Sequence, residues 1–367
     1  MRTRLALSIL LLTVSFGQVE AQWLKETYIS VFAAERDTAY IQDLSNYFSV
    51  NASMFQKNSA FSIDDLKNLS SLQYNCSDSS ASISAGFAYK WLSLSLGVST
   101  GLFDRHRTGR KTNLSTQMLL PAVTLKLGAN IYEGYYLSNA ESILQNWPVG
   151  TRHDRHDITT SSLRVSADYY FNYTQYSRKA LTSHGELQQR TAGSAIAGIL
   201  FNYNTASGDS SLIPRIVNDS LFSYHEQIRL VSNSLIGAGG GYARTFVTPA
   251  KIYINLDMQM GLAYNKCQLQ LDDAPDRRHK ALDFYFQGDV SFGYNSKHWF
   301  FNVGGNVFAI ESPMGNDGVN INNMNAMMRA TLAYRFEVEK NYSVGELFTT
   351  KWQQWREHRA EKKAGNN

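Results

Sequence analysis

Eight charged side chains fall on the polar rows of segments in which polar and apolar residues alternate. They are Lys126, Arg164, Asp168, Arg244, Asp257, Asp289, Arg329 and Arg335. Successive side chains of a β-strand point to opposite faces, so each polar row places its charges on one side of a sheet. If the sheet closes into a narrow barrel, these charges meet inside it and either pair across the interior or line a small pore. Pairing that closes the interior is the favoured interpretation.

A histidine-rich stretch, Arg152-His153-Asp154-Arg155-His156-Asp157, carries imidazole and carboxylate groups of the kind that ligate metals. Its interleaved arginines oppose a cation, and neither a cysteine nor a third histidine is near in sequence. A solvated loop is therefore favoured, and no metal or cofactor is expected. The basic stretch 105–111 would contact lipopolysaccharide phosphates only if it is external, and an ordinary charged loop is the simpler interpretation.

Catalysis would need a nucleophile with a base and an orienting group within hydrogen-bond reach. Serines are plentiful, and His184, His225, His279 and His298 are available, but no Gly-x-Ser-x-Gly elbow connects them. The chain is therefore expected not to be an enzyme, and a barrel-embedded lipid hydrolase is kept as an alternative.

The stretch 235–271 shows which elements would position these side chains. It predicts two long strands joined at Val247-Thr248-Pro249-Ala250. The second strand, from Ile252 to Tyr264, has an unbroken apolar row opposite a mostly polar one. At about 3.3 Å per residue it extends roughly 40 Å, and tilted by about 40° it would rise roughly 30 Å, the thickness of a bilayer's hydrocarbon core. This length and pattern indicate a membrane-spanning strand.

The same alternation recurs from Tyr47 to Phe336, with Lys57-Asn58-Ser59 expected to separate the first segment from the second. The pattern predicts an all-β protein, a transmembrane antiparallel β-barrel of about 12 strands, within a range of 10 to 14. Turns at 247–250 and 295–297 are short and are expected in the periplasm, whereas 272–280 and 311–321 are longer and expected outside. A secreted soluble β-sandwich that binds glycans is the other alternative, although its strands would be shorter and its solvent face more charged.

The N-terminus predicts export, because Arg2 and Arg4 precede an apolar run and small residues precede Gln22. Aromatic residues make up 13% and charged residues 18% of the chain, yet no mature stretch is apolar enough for a transmembrane helix, as expected for alternating barrel strands. The net charge of +4 gives no reason to expect a nucleic-acid partner. Cys76 and Cys267 are far apart, and nothing in the sequence brings them together.

Four short stretches resemble landmarks of one family. They are Asp37-Thr38-Ala39-Tyr40-Ile41, Gly86-Phe87-Ala88-Tyr89-Lys90-Trp91, Gln188-Gln189-Arg190-Thr191-Ala192-Gly193-Ser194, and Gly240-Gly241-Tyr242-Ala243 before Thr245-Phe246-Val247. In this order they are similar to an uncharacterised family of Bacteroidota outer-membrane proteins, a domain of unknown function, over roughly residues 35 to 336. The resemblance implies an outer-membrane barrel and carries no known activity or catalytic residue.

The expected organisation is a signal peptide (1–21), a periplasmic lead-in (22–44), a barrel (45–336) and an amphipathic or disordered charged tail (337–367). The expected location is the bacterial outer membrane, and the expected state is a monomer. Small-solute passage, binding of an unidentified small-molecule ligand, or a structural role in the envelope all fit this organisation. The expected partners are outer-membrane lipid and, through the last strand, the barrel-assembly machinery.

Overall fold

The computed structural model describes residues 35–338, except 45, 79, 90–91, 100–108, 183–184, 218–226, 273 and 316–317. The expected signal peptide, most of the expected tail and most of the basic stretch 105–111 lie outside the described residues. The strands are β1 Ile41–Asp43, β2 Tyr47–Asp65, β3 Ser70–Cys76, β4 Ser82–Tyr89, β5 Leu92–Ser99, β6 Arg110–Leu119, β7 Val123–Leu137, β8 His153–Tyr170, β9 Glu186–Gln188, β10 Ala192–Ser207, β11 Ile228–Val247, β12 Ile252–Leu271, β13 Arg277–Asn295, β14 Trp299–Pro313 and β15 Val319–Glu337. Two short helices, α1 (Ala140–Ile143) and α2 (Lys179–Thr182), lie between strands.

Ten antiparallel strands close into one ring. The order around it is β2, β3, β7, β8, β10, β11, β12, β13, β14 and β15, and β15 then pairs with β2 from Val319↔Asp65 to Glu337↔Tyr47. A single closed ring removes the exposed edges that a sheet otherwise presents. It also rules out the soluble sandwich, which would need two stacked sheets.

Two further strands lie outside the ring. β3 and β4 pair with successive parts of the same edge of β2, so they act as one interrupted strand. β5 then pairs with β4, and β6 pairs with β7. The ring bypasses β5 and β6 because Tyr74–Cys76 of β3 pair directly with Tyr135–Leu137 of β7. The ten strands of the ring and the two outer strands, β5 and β6, together match the expected number of about 12, but only ten of them close the ring.

The apolar rows face outward, as the alternation predicts. On β12, Met258 and Leu262 are 56% and 52% exposed, whereas Asn255 and Asp257 on the alternate row are buried. The long strands of the ring have 15–20 residues, several times the length of an ordinary globular strand. No helix in the described part of the chain combines the length and apolar character needed to cross a bilayer.

Glycines in β11 and β12 make room for an aromatic side chain inside the ring. A Cβ on Gly239 would lie 2.5 Å from Tyr285 Oη, and one on Gly261 would lie 2.6 Å from Tyr285 Cε1. Tyr285 of β13 therefore lies flat over the neighbouring strands β12 and β11, where it packs with Leu235, Ala263 and three other buried side chains. The close approach of this ring to the backbone explains the glycine at position 239 of β11.

The two ends of the ring differ. One end, called here the short-turn end, carries the tight connections 248–251 and 296–298. Outward-facing aromatic side chains gather there: the rings of Trp299 and Tyr334 are 4.8 Å apart, as are those of Tyr334 and Phe336. Such a girdle is typical of barrels at a membrane interface. The opposite end, called the long-loop end, carries the connection 138–152 and the described residues 208–217 of the connection between β10 and β11.

Two local expectations were wrong. His153–Asp157 of the histidine-rich stretch is not a loop but the first part of β8, where His153 pairs with Leu137 of β7. Lys57-Asn58-Ser59 does not separate two segments, because β2 runs through it without a break. Both stretches are polar, and their polarity was taken to mark the end of a strand. In the structure β2 and β8 continue through them.

Candidate functional site

The connection between β8 and β10 enters the ring at the short-turn end, and its described residues, 172–182 and 185–191, are called the plug. Ser177 starts α2, since its hydroxyl accepts a hydrogen bond from the Ala180 amide at 2.9 Å. Leu181 packs with Tyr253, Phe300 and Ala333, whose side chains face the lumen. This part of the plug therefore lies inside the ring, at its short-turn end, rather than across its rim.

Arg178 joins the plug to the barrel wall. Its guanidinium lies 3.1 Å from Asp289 Oδ1 and 3.6 Å from Asp257 Oδ2, on neighbouring strands. Burial lowers the pKa of Arg178, but Asp289 and Asp257, together with buried Tyr170, raise it by more, so the net pKa lies well above the ordinary range. The arginine is therefore a permanent cation held between two carboxylates.

Further hydrogen bonds fix the plug around Arg178. The Tyr176 hydroxyl donates to Asn255 Oδ1 at 3.3 Å, and burial raises the pKa of Tyr176, so the phenol stays protonated. Asn295 Nδ2 donates to the Ala180 carbonyl at 3.0 Å. These contacts attach both sides of α2 to ring strands.

The plug is also held by the lead-in, which forms a separate two-stranded sheet with it. β1 pairs with β9, from Ile41↔Gln188 to Asp43↔Glu186. Glu186 is buried, accepts a hydrogen bond from Ser177 Oγ at 2.5 Å and forms an ion pair with Arg36 at 3.0 Å. Two of the stretches that carry the family resemblance, 37–41 and 188–194, thus meet in this small sheet.

A second ion pair lies on the wall next to the plug. Lys126 Nζ is 2.8 Å from Asp168 Oδ2, and Asp168 is buried. Gly198 is opposite Asp168 in the register, and a Cβ there would lie 2.7 Å from Asp168 Oδ1. The glycine leaves the space in which this carboxylate sits.

Arg164 and Arg329 lie inside the ring without a carboxylate partner within 4 Å among the described residues. The Arg164 guanidinium stacks over Phe308 at 3.3 Å from the ring centroid, and Arg329 lies 5.4 Å from the centroid of Phe55. The Nε atoms of both arginines are buried and have no hydrogen-bond partner. Lys57 on β2 belongs to the same inward row as Phe55.

The remaining two predicted charges behave differently. Arg335 is fully buried and donates to Asn295 Oδ1 at 3.0 Å and to the Ser296 carbonyl, so it holds the turn 296–298. Arg244 does not face the lumen. It lies on the exposed row of β11 with Tyr242 and Phe246, 5.0 Å from the Phe246 ring centroid. The glycines before it have no side chains from which the strand's phase could be inferred.

The long-loop end is closed by apolar packing. A buried cluster beneath the connections 138–152 and 208–217 includes Leu72, Tyr74, Ile158, Leu212 and Leu269. The Tyr74 hydroxyl donates to the Leu212 carbonyl at 2.7 Å. The lumen is therefore bounded by this cluster at one end and by the plug at the other.

The other sequence candidates do not form a site. Cys76 and Cys267 are both free thiols. Among the described residues, no three His, Cys, Asp or Glu side chains are grouped as metal ligands. Sequence reasoning missed Arg178 because the plug has no alternation, and it missed Lys57 because that residue was read as a break. The continued inward row Phe55, Lys57, Ser59 was the signal that could have found it.

A closed antiparallel ring with apolar residues outside and paired charges inside defines the class of transmembrane β-barrels. The chain belongs to the family described as Domain of unknown function (DUF4421), whose model matches residues 35–336. No curated protein matches this chain.

Similar solved structures include several membrane barrels. The outer membrane protease OmpT from Escherichia coli is 10% identical, with 80% of this chain and 98% of that chain covered and a TM-score of 0.36. The translocator domain of the autotransporter NalP from Neisseria meningitidis is 10% identical, with 79% and 88% covered and a TM-score of 0.32. The toluene transporter TodX from P. putida is 8% identical, with 82% and 93% covered and a TM-score of 0.21. These values are too low to transfer any activity to this chain, whose class rests on its own geometry.

Proposed function

We propose that this protein is a bacterial outer-membrane barrel that binds a small solute in its lumen and passes it only when the plug is displaced. The observation that carries the proposal is Arg178, which ties the plug to Asp257 and Asp289. An ion-paired segment inside a barrel closes the path, yet it can leave without unfolding the ring, because the ring closes independently through β2 and β15. A purely structural barrel would have no need for such a removable element.

In this proposal residues 1–21 are an export signal and the short-turn end faces the periplasm. Outer-membrane lipid covers the outward rows, and the barrel-assembly machinery recognises β15. Membrane fractionation tests the location, and protease added to intact cells tests the orientation, since it should reach 208–227 before 248–251. The proposal includes no catalytic step, and a liposome assay for released fatty acid tests it against a lipid hydrolase.

Conductance in planar bilayers tests the gated passage. The unmodified protein should be closed for most of the recording, whereas Arg178→Met should give frequent or steady openings, because Asp257 and Asp289 no longer hold the plug. Arg244→Met is the matched control, since it removes an arginine from the outer face and should leave the protein closed. Heat-modifiable gel mobility confirms that each variant is a folded barrel.

Two results would contradict the proposal. One is steady conductance of the unmodified protein, which would mean that the plug does not close the path. The other is a folded Arg178→Met barrel that never opens, which would mean that the plug is a fixed part of the wall.

A further inference from the structure

Three cations from three different strands face the same part of the lumen. Lys57 of β2 is opposite Met327 in the register and Arg329 of β15 is opposite Phe55, which makes Lys57 and Arg329 diagonal neighbours. Such neighbours are about 7–8 Å apart. Arg164 comes from β8 and crosses the lumen to reach Phe308 on β14. The charges of Arg164 and Arg329 both act on the Lys57 ammonium.

These three cations are not neutralised by the protein. Among the described residues, no carboxylate lies within 4 Å of any of them. Asp168 is paired with Lys126, and Asp257 and Asp289 are paired with Arg178, whereas the buried Asp283 accepts a hydrogen bond from Ser312 Oγ. The charge of Asp289 acts on Arg329 from a distance, but the hydrogen bond that Arg329 donates within the described part of the chain goes to Met327 Sδ at 3.8 Å. Grouped like charges away from bulk water are costly unless something compensates them.

The aromatic contacts compensate only in part. Phe308 and Phe55 each cover one face of a guanidinium, but a ring face cannot accept the in-plane N–H groups at its edge. The two Nε–H groups therefore remain without acceptors. All three residues are half-buried. A planar guanidinium with free edges matches the paired oxygens of a carboxylate or a phosphate.

We propose that Lys57, Arg164 and Arg329 form a binding site inside the barrel for a small solute that carries an oxyanion, either a carboxylate or a phosphate. The oxyanion accepts hydrogen bonds from the two arginines and pairs with the lysine, while Phe55 and Phe308 orient the guanidinium planes. This inference rests on the proposed ligand-binding role of the lumen and specifies the chemistry of its ligand.

Calorimetric titration of the detergent-solubilised full-length protein tests the site, with inorganic phosphate and succinate as separate probes. Binding of at least one probe is expected and should weaken as salt is raised. Lys57→Met, Arg164→Met and Arg329→Met should each weaken it roughly 10- to 100-fold, the range for one lost charge-assisted hydrogen bond. Arg244→Met, which removes an arginine from the outer face, should bind as the unmodified protein does. The two probes show whether the site prefers phosphate or carboxylate.

Thermal unfolding without added anion separates a binding site from a structural cluster. If the three cations form a ligand-binding site, each methionine variant should unfold at the same temperature as the unmodified protein or at a higher one, because repulsion among unpaired charges is removed. Added phosphate or succinate should then raise the unfolding temperature of the unmodified protein and not of the variants.

The inference is overturned if neither probe binds, if the three variants bind as tightly as Arg244→Met, or if all three variants are destabilised and anions have no effect. None of these readings depends on conductance. If the anion binds but Arg178→Met never opens, the proposed passage is overturned and the oxyanion site stands. If Arg178→Met opens but no anion binds, the oxyanion site is overturned and the gated passage stands.

Discussion

Replacing Arg178 by methionine should detach the plug while leaving the ring closed. Methionine has a similar length, so the main loss is the charge that holds Asp257 and Asp289. The change leaves two carboxylates facing each other on paired strands, since Asp257 is opposite Asp289 in the register. Asp257 is only 4% exposed, so water cannot replace the arginine at that position without rearrangement.

Removing one partner of a buried ion pair costs about 3–5 kcal/mol, because the remaining charge stays buried and unpaired. Since about 1.4 kcal/mol is a factor of ten in an equilibrium constant, the opening equilibrium of the plug should rise by roughly 100-fold to several thousand-fold. The pairing of β1 with β9 and the ion pair between Arg36 and Glu186 still attach the plug at its outer side. The plug, which is continuous with β8 and β10, should therefore swing out of the lumen while its β9 part stays paired with β1.

Hydrogen exchange of the plug amides measures this equilibrium. The Ala180 and Ser177 amides report on opening, because both residues are buried in the closed lumen and become exposed to water when the plug moves, whereas β12 amides report on the ring. In Arg178→Met the plug amides should lose protection and the ring amides should keep it. Combining Arg178→Met with Asp257→Asn and Asp289→Asn should restore much of the protection, because no unpaired charge then remains.

Lys297→Met is the control, because its ion pair with Glu337 at 3.4 Å is exposed to water and contributes little to stability. Equal loss of protection in plug and ring would refute the independence of the two parts. Unchanged plug protection in Arg178→Met would refute the role given to the ion pairs.

Two further predictions concern the ring. Gly239→Ala should destabilise the barrel by about 1–3 kcal/mol, since its Cβ would lie 2.4 Å from the Met260 carbonyl and 2.5 Å from Tyr285 Oη. Gly240→Ala is the control and should be tolerated, because its Cβ meets only the Ile196 carbonyl at 3.3 Å. Urea titration of heat-modifiable mobility compares the two variants, and equal midpoints would contradict the packing argument. Lys251→Gly should stabilise the turn after β11 by up to about 1 kcal/mol, because Lys251 has a left-handed φ of 64°. Lys266→Gly, in the extended strand β12, is the control and should not stabilise the barrel. The same titration checks both variants, and a lower midpoint for Lys251→Gly would contradict backbone strain at Lys251.

The sequence was most informative where alternation was long and carried large side chains. The row from Ile252 to Tyr264 predicted the outward face of β12, and the turn at 247–250 was placed within one residue of the observed connection 248–251. Period-two alternation is a local property of a strand, so it can be read without knowing the neighbours. The glycine-rich part of β11 gave no such row, and Arg244 was assigned to the wrong face there.

The plug could not be predicted in the same way. Residues 172–191 are mostly polar, have no period and resemble an ordinary connection. Their place inside the ring is decided by contacts with residues more than seventy positions away, such as Asp257 and Asn255. The sequence did place Asp257 and Asp289 inside, but Arg178, which pairs with both, was not among the predicted inward charges. Their partner came from the segment that carried the least local signal.

Asp289 connects the two parts of the lumen described above. It holds Arg178 of the plug at 3.1 Å, and its charge also acts on Arg329 of the proposed oxyanion site. An anion bound at Arg329 changes the field at Asp289, and movement of Arg178 changes the field at Arg329. By thermodynamic linkage, any effect of the anion on plug opening must equal the effect of plug opening on anion affinity. Anion binding and plug closure would then depend on one network of charges, in which Asp289, paired with Arg178 and acting on Arg329 from a greater distance, carries the coupling.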